Sequence, residues 1–121
     1  MNTISKGLPD EVFVVGSYGL RIQVHGLIDW INNSPNVDAV WCSTDDLLRL
    51  RRSDRVQAAV VASMPDHRRD EPVLLCQLLE EWWVIDGNHR LEKRRRDSLA
   101  QTLAVPVPPD VIAGFLEELG F

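Results

Sequence analysis

The chain has 121 residues, 45% of them hydrophobic and 26% charged. That is enough for one domain with a real core, too little for two, and too apolar for a disordered polyelectrolyte. Thirteen basic against 18 acidic residues leave a net charge of −5, which argues against a non-specific nucleic-acid coat. No run approaches the roughly 20 apolar residues of a membrane span. Residues 1–11 lack the basic stretch and apolar block of a secretory leader. Cys42 and Cys76 fit no metal or redox spacing and sit among apolar neighbours, so free thiols in a cytoplasmic protein are expected.

Charge is segregated along the chain. Residues 1–48 hold Lys6 and Arg21 against six acids, residues 49–96 hold eleven bases against eight acids, and the segment from Asp97 holds four acids and no base. The central excess of +3 suits a local pocket for an anion.

The β-rich runs Val12–Val15 and Leu20–Val24 flank Gly16-Ser17-Tyr18-Gly19 and predict a hairpin over residues 12–24. Leu27–Ile31 predicts a short helix stopped by Asn32-Asn33-Ser34-Pro35, and Val37–Trp41 a strand. Ser43 with Asp46 three residues later resembles a capping box for a helix that buries Leu47, Leu48 and Leu50. The next helix is expected from Ser53 or Asp54, with Val56, Ala59, Val60 and Ser63 as its buried stripe and an end before Pro65. A charged loop, Pro65–Pro72, leads into the strand Val73–Leu79, a Glu80-Glu81 turn and the strand Trp82–Ile85. Trp82 and Trp83 must point to opposite faces. A charged helix follows, then a strand from Leu103 to Val107. An amphipathic helix over 109–119 carries Val111, Ile112, Phe115, Leu116 and Leu119. The fold class expected is α+β, a small mixed sheet with short helices.

The chemistry concentrates where the strand ending at Ile85 meets Asp86-Gly87-Asn88-His89-Arg90 and a helix begins. The first N–H groups of a helix have no intrahelical partner and carry the positive end of its dipole, so a phosphate is well held there. Gly87 permits the turn, Arg90 offers a planar two-pronged grip, and Asn88 and His89 stand beside it. Asp86 or Asn88 acting simply as a helix cap explains the same spacing.

The segment Val84–Leu91 resembles the signature of the ParB/sulfiredoxin-like superfamily: an apolar strand, Asp-Gly, a variable residue, His-Arg, then a helix. With the flanking elements the resemblance covers about residues 37–108. It implies a nucleotide phosphate, ATP or CTP, held by Gly87, Asn88, His89 and Arg90, with Mg²⁺ as companion. A sulfiredoxin needs cysteine where this chain has Asn88, so that activity is rejected. The chain beyond the motif is too short for the DNA reader and dimerising segment of partition proteins, so specific DNA binding is not expected. The mostly charged run Glu92–Asp97 departs from the small apolar residues usual after the motif and predicts a poorly packed helix.

With Glu80 and Glu81 as the turn, Leu79 faces Trp82, Cys76 faces Ile85 and Leu74 lies near Gly87, which brings the loop 67–71 beside the motif. Asp70 and Glu71 are therefore the candidate catalytic carboxylates, and Arg68 and Arg69 further phosphate ligands. Glu80 and Glu81 fall at the far end of the hairpin. Asp86, His89, Asp66 and His67 form no closed metal set. The expected function is binding of a nucleoside triphosphate, with NTPase or phosphotransfer chemistry open, in an accessory protein of a plasmid or phage. The alternatives are a catalytically silent module that inhibits or docks a protein partner, and a metal-dependent nuclease.

Overall fold

A computed structural model describes residues 4, 12–15, 20–34, 37–51, 56–78 and 80–118. These residues form a mixed α+β architecture of two sheets and short helices. Strands β1 (Val12–Val15), β2 (Leu20–Gln23) and β7 (Leu116–Glu118) make an antiparallel sheet in the order β1-β2-β7. Strands β3 (Val40–Ser43), β4 (Val73–Leu78), β5 (Glu81–Asp86) and β6 (Gln101–Pro106) make a second sheet in the order β3-β6-β4-β5. Only the β4–β6 pair of that sheet is parallel.

The four-stranded sheet is covered on both faces, and this explains the unbroken apolar run of β4. Leu74, Cys76, Trp83, Ile85 and Val105 join Ile22 of β2 and the helix α1 (Val24–Asn32) in one core. Their sequence neighbours Val73, Leu75, Val84 and Ala104 point the other way. They meet Leu47 of α2 (Thr44–Leu50) and Leu91 of α5 (Asn88–Arg96) in a second core. Helix α1 forms because Val24, Leu27, Ile28 and Ile31 fall on one stripe, all at most 2% exposed. It begins earlier than Leu27, directly from β2.

The expected hairpin over 12–24 is present as β1 and β2, while its turn, Gly16–Gly19, lies outside the described residues. Pro35, Ser53, Asp54, Leu79 and Leu119 lie outside them as well. Ser43 caps α2 as its spacing predicts, its hydroxyl accepting the Asp46 N–H at 3.4 Å.

The strand expected over Val37–Trp41 starts only at Val40 and runs to Ser43, and four further expectations about these elements need correction. Helix α3 runs only Ala58–Ala62 and buries Val61, leaving Ala59, Val60 and Ser63 exposed; five residues make barely more than one turn, so a stripe of period 3.6 has no length over which to act. The loop 65–72 holds a single helical turn, α4 (Asp66–Arg69). The β4–β5 hairpin pairs Leu78 with Glu81 and Cys76 with Trp83, two residues away from the expected register. Two acidic residues are poor turn formers, and Glu80 sits in the loop at φ 66° instead. A shift between Leu74 and Leu75 then places Leu74 opposite Asp86, so the loop before β4 still reaches the motif. Finally, the C-terminal helix α6 stops at Ala113, and residues 116–118 add β7 to β2. Gly114 interrupts a helix too short to tolerate it.

Candidate functional site

The Asp86–Arg90 turn joins the end of β5 to α5. Gly87 is the helix N-cap at φ 97°, a left-handed conformation, and has no side chain with which to cap. A methyl group there would stand 2.7 Å from Val73 Cγ1 and 2.9 Å from Arg90 Nη2. Glycine is thus required both by the backbone and by what packs on it. Asn88 Oδ1 and Arg90 Nε, both buried, have no hydrogen-bond partner among the described residues.

Arg90 is turned inward and only 4% exposed. Its Nη2 donates to Asp86 Oδ2 and to the Pro72 carbonyl, each at 3.0 Å. The guanidinium therefore ties the end of β5, the start of α5 and the entry to β4 together. Asp86 is its ion-pair partner in this arrangement. The Nε2 of His89 accepts the backbone N–H of Gln57 at 3.1 Å, so the neutral ring carries its proton on Nδ1. Burial, and next the Arg90 charge, hold its pKa below the ordinary histidine value, against a smaller opposing pull from Asp86.

The loop before β4 lies against α5, but further along it. Arg94 donates to Asp70 Oδ1 at 2.9 Å, and Arg94 lies one helical turn past Arg90, about 6 Å on. Asp70 also takes a charge-assisted bond from Arg69 Nε at 2.9 Å. That bond, with the Arg69 and Arg94 charges, holds its carboxyl below the usual range. A carboxylate held low is a poor proton acceptor near neutrality. Glu71 is buried, 8% exposed, and paired with Arg68 at 3.2 Å. Arg69 additionally meets Asp66 at 3.4 Å and Asp97 at 3.1 Å. The structure thus gathers Gly87, Asn88, His89 and Arg90 at one turn, and Arg68, Arg69, Asp70 and Glu71 in an adjoining ion-pair network. Glu80 and Glu81 stand at the other end of β5.

The rest of α5 corrects the expectation of a loosely packed helix. Arg90, Leu91, Glu92 and Arg94 are all buried. Arg94 Nε reaches the Gln101 carbonyl at 3.1 Å and Thr102 Oγ1 at 3.0 Å. Thr44 Oγ1 lies 2.8 Å from the Leu99 carbonyl and 2.7 Å from Thr102 Oγ1. Since Thr44 gives its only proton to Leu99, Thr102 is the donor in the second bond and the acceptor from Arg94. Glu92 accepts from Arg51 at 3.0 Å and from Arg95; these bonds, Arg95 first, hold its carboxyl down at about 2. The helix ends with the Ser98 and Leu99 N–H groups on the carbonyls of Arg95 and Arg94, Ser98 at φ 58°. Nothing in the hydrophobic pattern announces Glu92, Arg94, Thr44 and Thr102 as interior residues. The sequence shows only a block of four bases, Lys93–Arg96, between Glu92 and Asp97, which reads as a solvated helix face.

Cys42 and Cys76 are free, and burial pushes the Cys76 thiol up to about 12, so it offers no thiolate. Among the described residues no group of three or more His, Cys, Asp or Glu is placed to hold a metal ion, and no helix is long and apolar enough to cross a membrane. The chain matches no protein-family model, no curated protein and no solved structure.

Proposed function

We propose that the chain is a nucleotide-phosphate-binding module of ParB/sulfiredoxin-like type, taking a nucleoside triphosphate with Mg²⁺ at the start of α5. The observation that carries this reading is a concentration of unsatisfied hydrogen-bonding capacity at one turn. A helix opens on a glycine that cannot cap it, and within the same turn Arg90 Nε is a buried donor with no acceptor among the described residues. A phosphate oxygen is an acceptor of the right charge for such a place. Asn88 can swing its amide to add donors. The neighbouring carboxylates are already engaged by guanidinium groups, which favours binding over turnover.

Calorimetric titration with ATP, CTP, GTP and ADP, each with and without Mg²⁺, tests the proposal. Binding that follows the number of phosphates supports it. The Asn88→Asp variant keeps the shape and places a negative charge where the helix dipole welcomes one, so the fold holds while affinity falls by about tenfold or more. No binding by any nucleotide overturns the reading in favour of the docking module. The observation on that side is the edge strand β3, where Val40 and Trp41 are 46% and 63% exposed.

A further inference from the structure

The bond from Gln57 to His89 joins two elements that also pack against each other, and it is the hydrogen bond between them among the described residues. Helix α3 is five residues of Ala and Val with one buried side chain, Val61. Its N-cap, Gln57, has no side-chain capping bond, and its N–H is the group given to His89. A helix this short is not self-supporting. Its N-terminal end is therefore fastened to the first turn of α5 through one imidazole nitrogen, and only the neutral ring can accept there.

We propose that His89 is a protonation-operated latch: neutral, it holds the start of α3 against the Gly87 turn; protonated, it releases Gln57 and turns an N–H donor to the site. Protonation at Nε2 sets two N–H groups against each other, so the contact is lost outright rather than weakened. Among the described residues, the charged groups that face the ring are Arg90 on its own helix and Asp86 at the end of β5, with opposite effects. Residues 57–63 of the α3 segment bring no charge. The ion pairs of α2, α4 and their flanks engage α5 from Glu92 onward, beyond His89.

The latch itself is independent of any ligand; its consequence, that opening favours an anion, rests on the phosphate reading. The ring's pKa is lowered, so the closed state is complete above the ordinary histidine value and is lost as pH falls through the lower, folded value. Amide exchange of the whole chain, expressed as protection factors between about pH 7.5 and about pH 5, reads this directly. The Gln57 amide should lose about tenfold in protection, the worth of one hydrogen bond, while the Cys76 and Val84 amides of the sheet hold theirs. Glutamine places Oε1 where Nε2 stood, so His89→Gln should keep Gln57 protected at both ends of the range. A Gln57 amide indifferent to pH while the His89 ring titrates overturns the latch, as does an unchanged pH response in His89→Gln. Sulfate, whose charge is constant over this range, separates the two ideas. Tighter sulfate binding at low pH, abolished in His89→Gln, supports latch and site together. Protection lost without sulfate binding at any pH leaves the latch standing and removes the anion site.

Discussion

Helices α1 and α5 are both nine residues long and cover opposite faces of the same sheet, yet they are held by different physics. Helix α1 buries Val24, Leu27, Ile28 and Ile31, a dry stripe whose stabilisation is removal of apolar surface from water. Helix α5 buries one leucine and three charged residues, Arg90, Glu92 and Arg94. Each of those charges is matched by named partners: Asp86 and Pro72 for Arg90, Arg51 and Arg95 for Glu92, Asp70, Gln101 and Thr102 for Arg94. A buried charge survives only when paired in this way. The dry helix supplies stability, whereas the wired helix fixes the position of its own first turn, which is the candidate site.

The largest expected effect lies on the dry side. Leu27 is wholly buried in the α1 core, and Leu27→Ala should cost about 2–5 kcal/mol in chemical denaturation, cavity included. A loss under about 1 kcal/mol would mean that the two helices do not differ as described.

That asymmetry also decides what was legible beforehand. Apolar spacing exposed α1, the buried strands β4 to β6 and the opposite orientation of Trp82 and Trp83, because burial of apolar surface leaves a periodic trace. The motif turn was legible for another reason: glycine between a strand and a helix has few uses. The packing of α5 was not, since Glu92 and Arg94 look like solvated residues until Arg51 and Asp70 are brought to them from distant parts of the chain and the start of β6 folds back to present Thr102 and the Gln101 carbonyl. The inward turn of Arg90 was hidden in part for the same reason: Asp86 is only four residues away, but the Pro72 carbonyl is brought to it by the pairing of β4 with β5. At the end of the chain, Phe115 and Leu116 satisfy a helical stripe as well as a strand, and only the open edge of β2 decides between them.

Arg94→Met comes next in size. The methionine keeps much of the stem's bulk but leaves the Gln101 carbonyl without its donor and Thr102 Oγ1 with one partner fewer. Asp70 is half exposed, 50% by side chain, and recovers water. The cost therefore sits on the two interior acceptors, about 1–3 kcal/mol. A neutral or stabilising outcome would show that the polar network is replaceable by apolar packing, as some buried ion pairs are.

Glu92 gives the smallest effect and the sharpest test of the wired face, because its contribution has a pH signature that α1 lacks. Its carboxyl side chain is 9% exposed, but two of its partners, Arg95 and Arg96, are 52% and 41% exposed. Water screens those two, so Glu92→Gln should cost about 1 kcal/mol at neutral pH rather than the several expected of a fully buried pair. The folded carboxyl titrates at about 2 against an ordinary value of 4.5. With the folded value depressed, the unfolded chain takes up protons first as pH falls. The stabilisation is therefore complete above 4.5 and is lost as pH falls through about 2, with half gone midway between them. Urea denaturation of both proteins along this range should show the gap between wild type and Glu92→Gln closing on acidification. Leu27→Ala, carrying no titrating group, should keep a constant gap. If the Glu92→Gln gap is equally constant, the glutamate is buried for its shape alone, and the distinction between the two helices loses its electrostatic half.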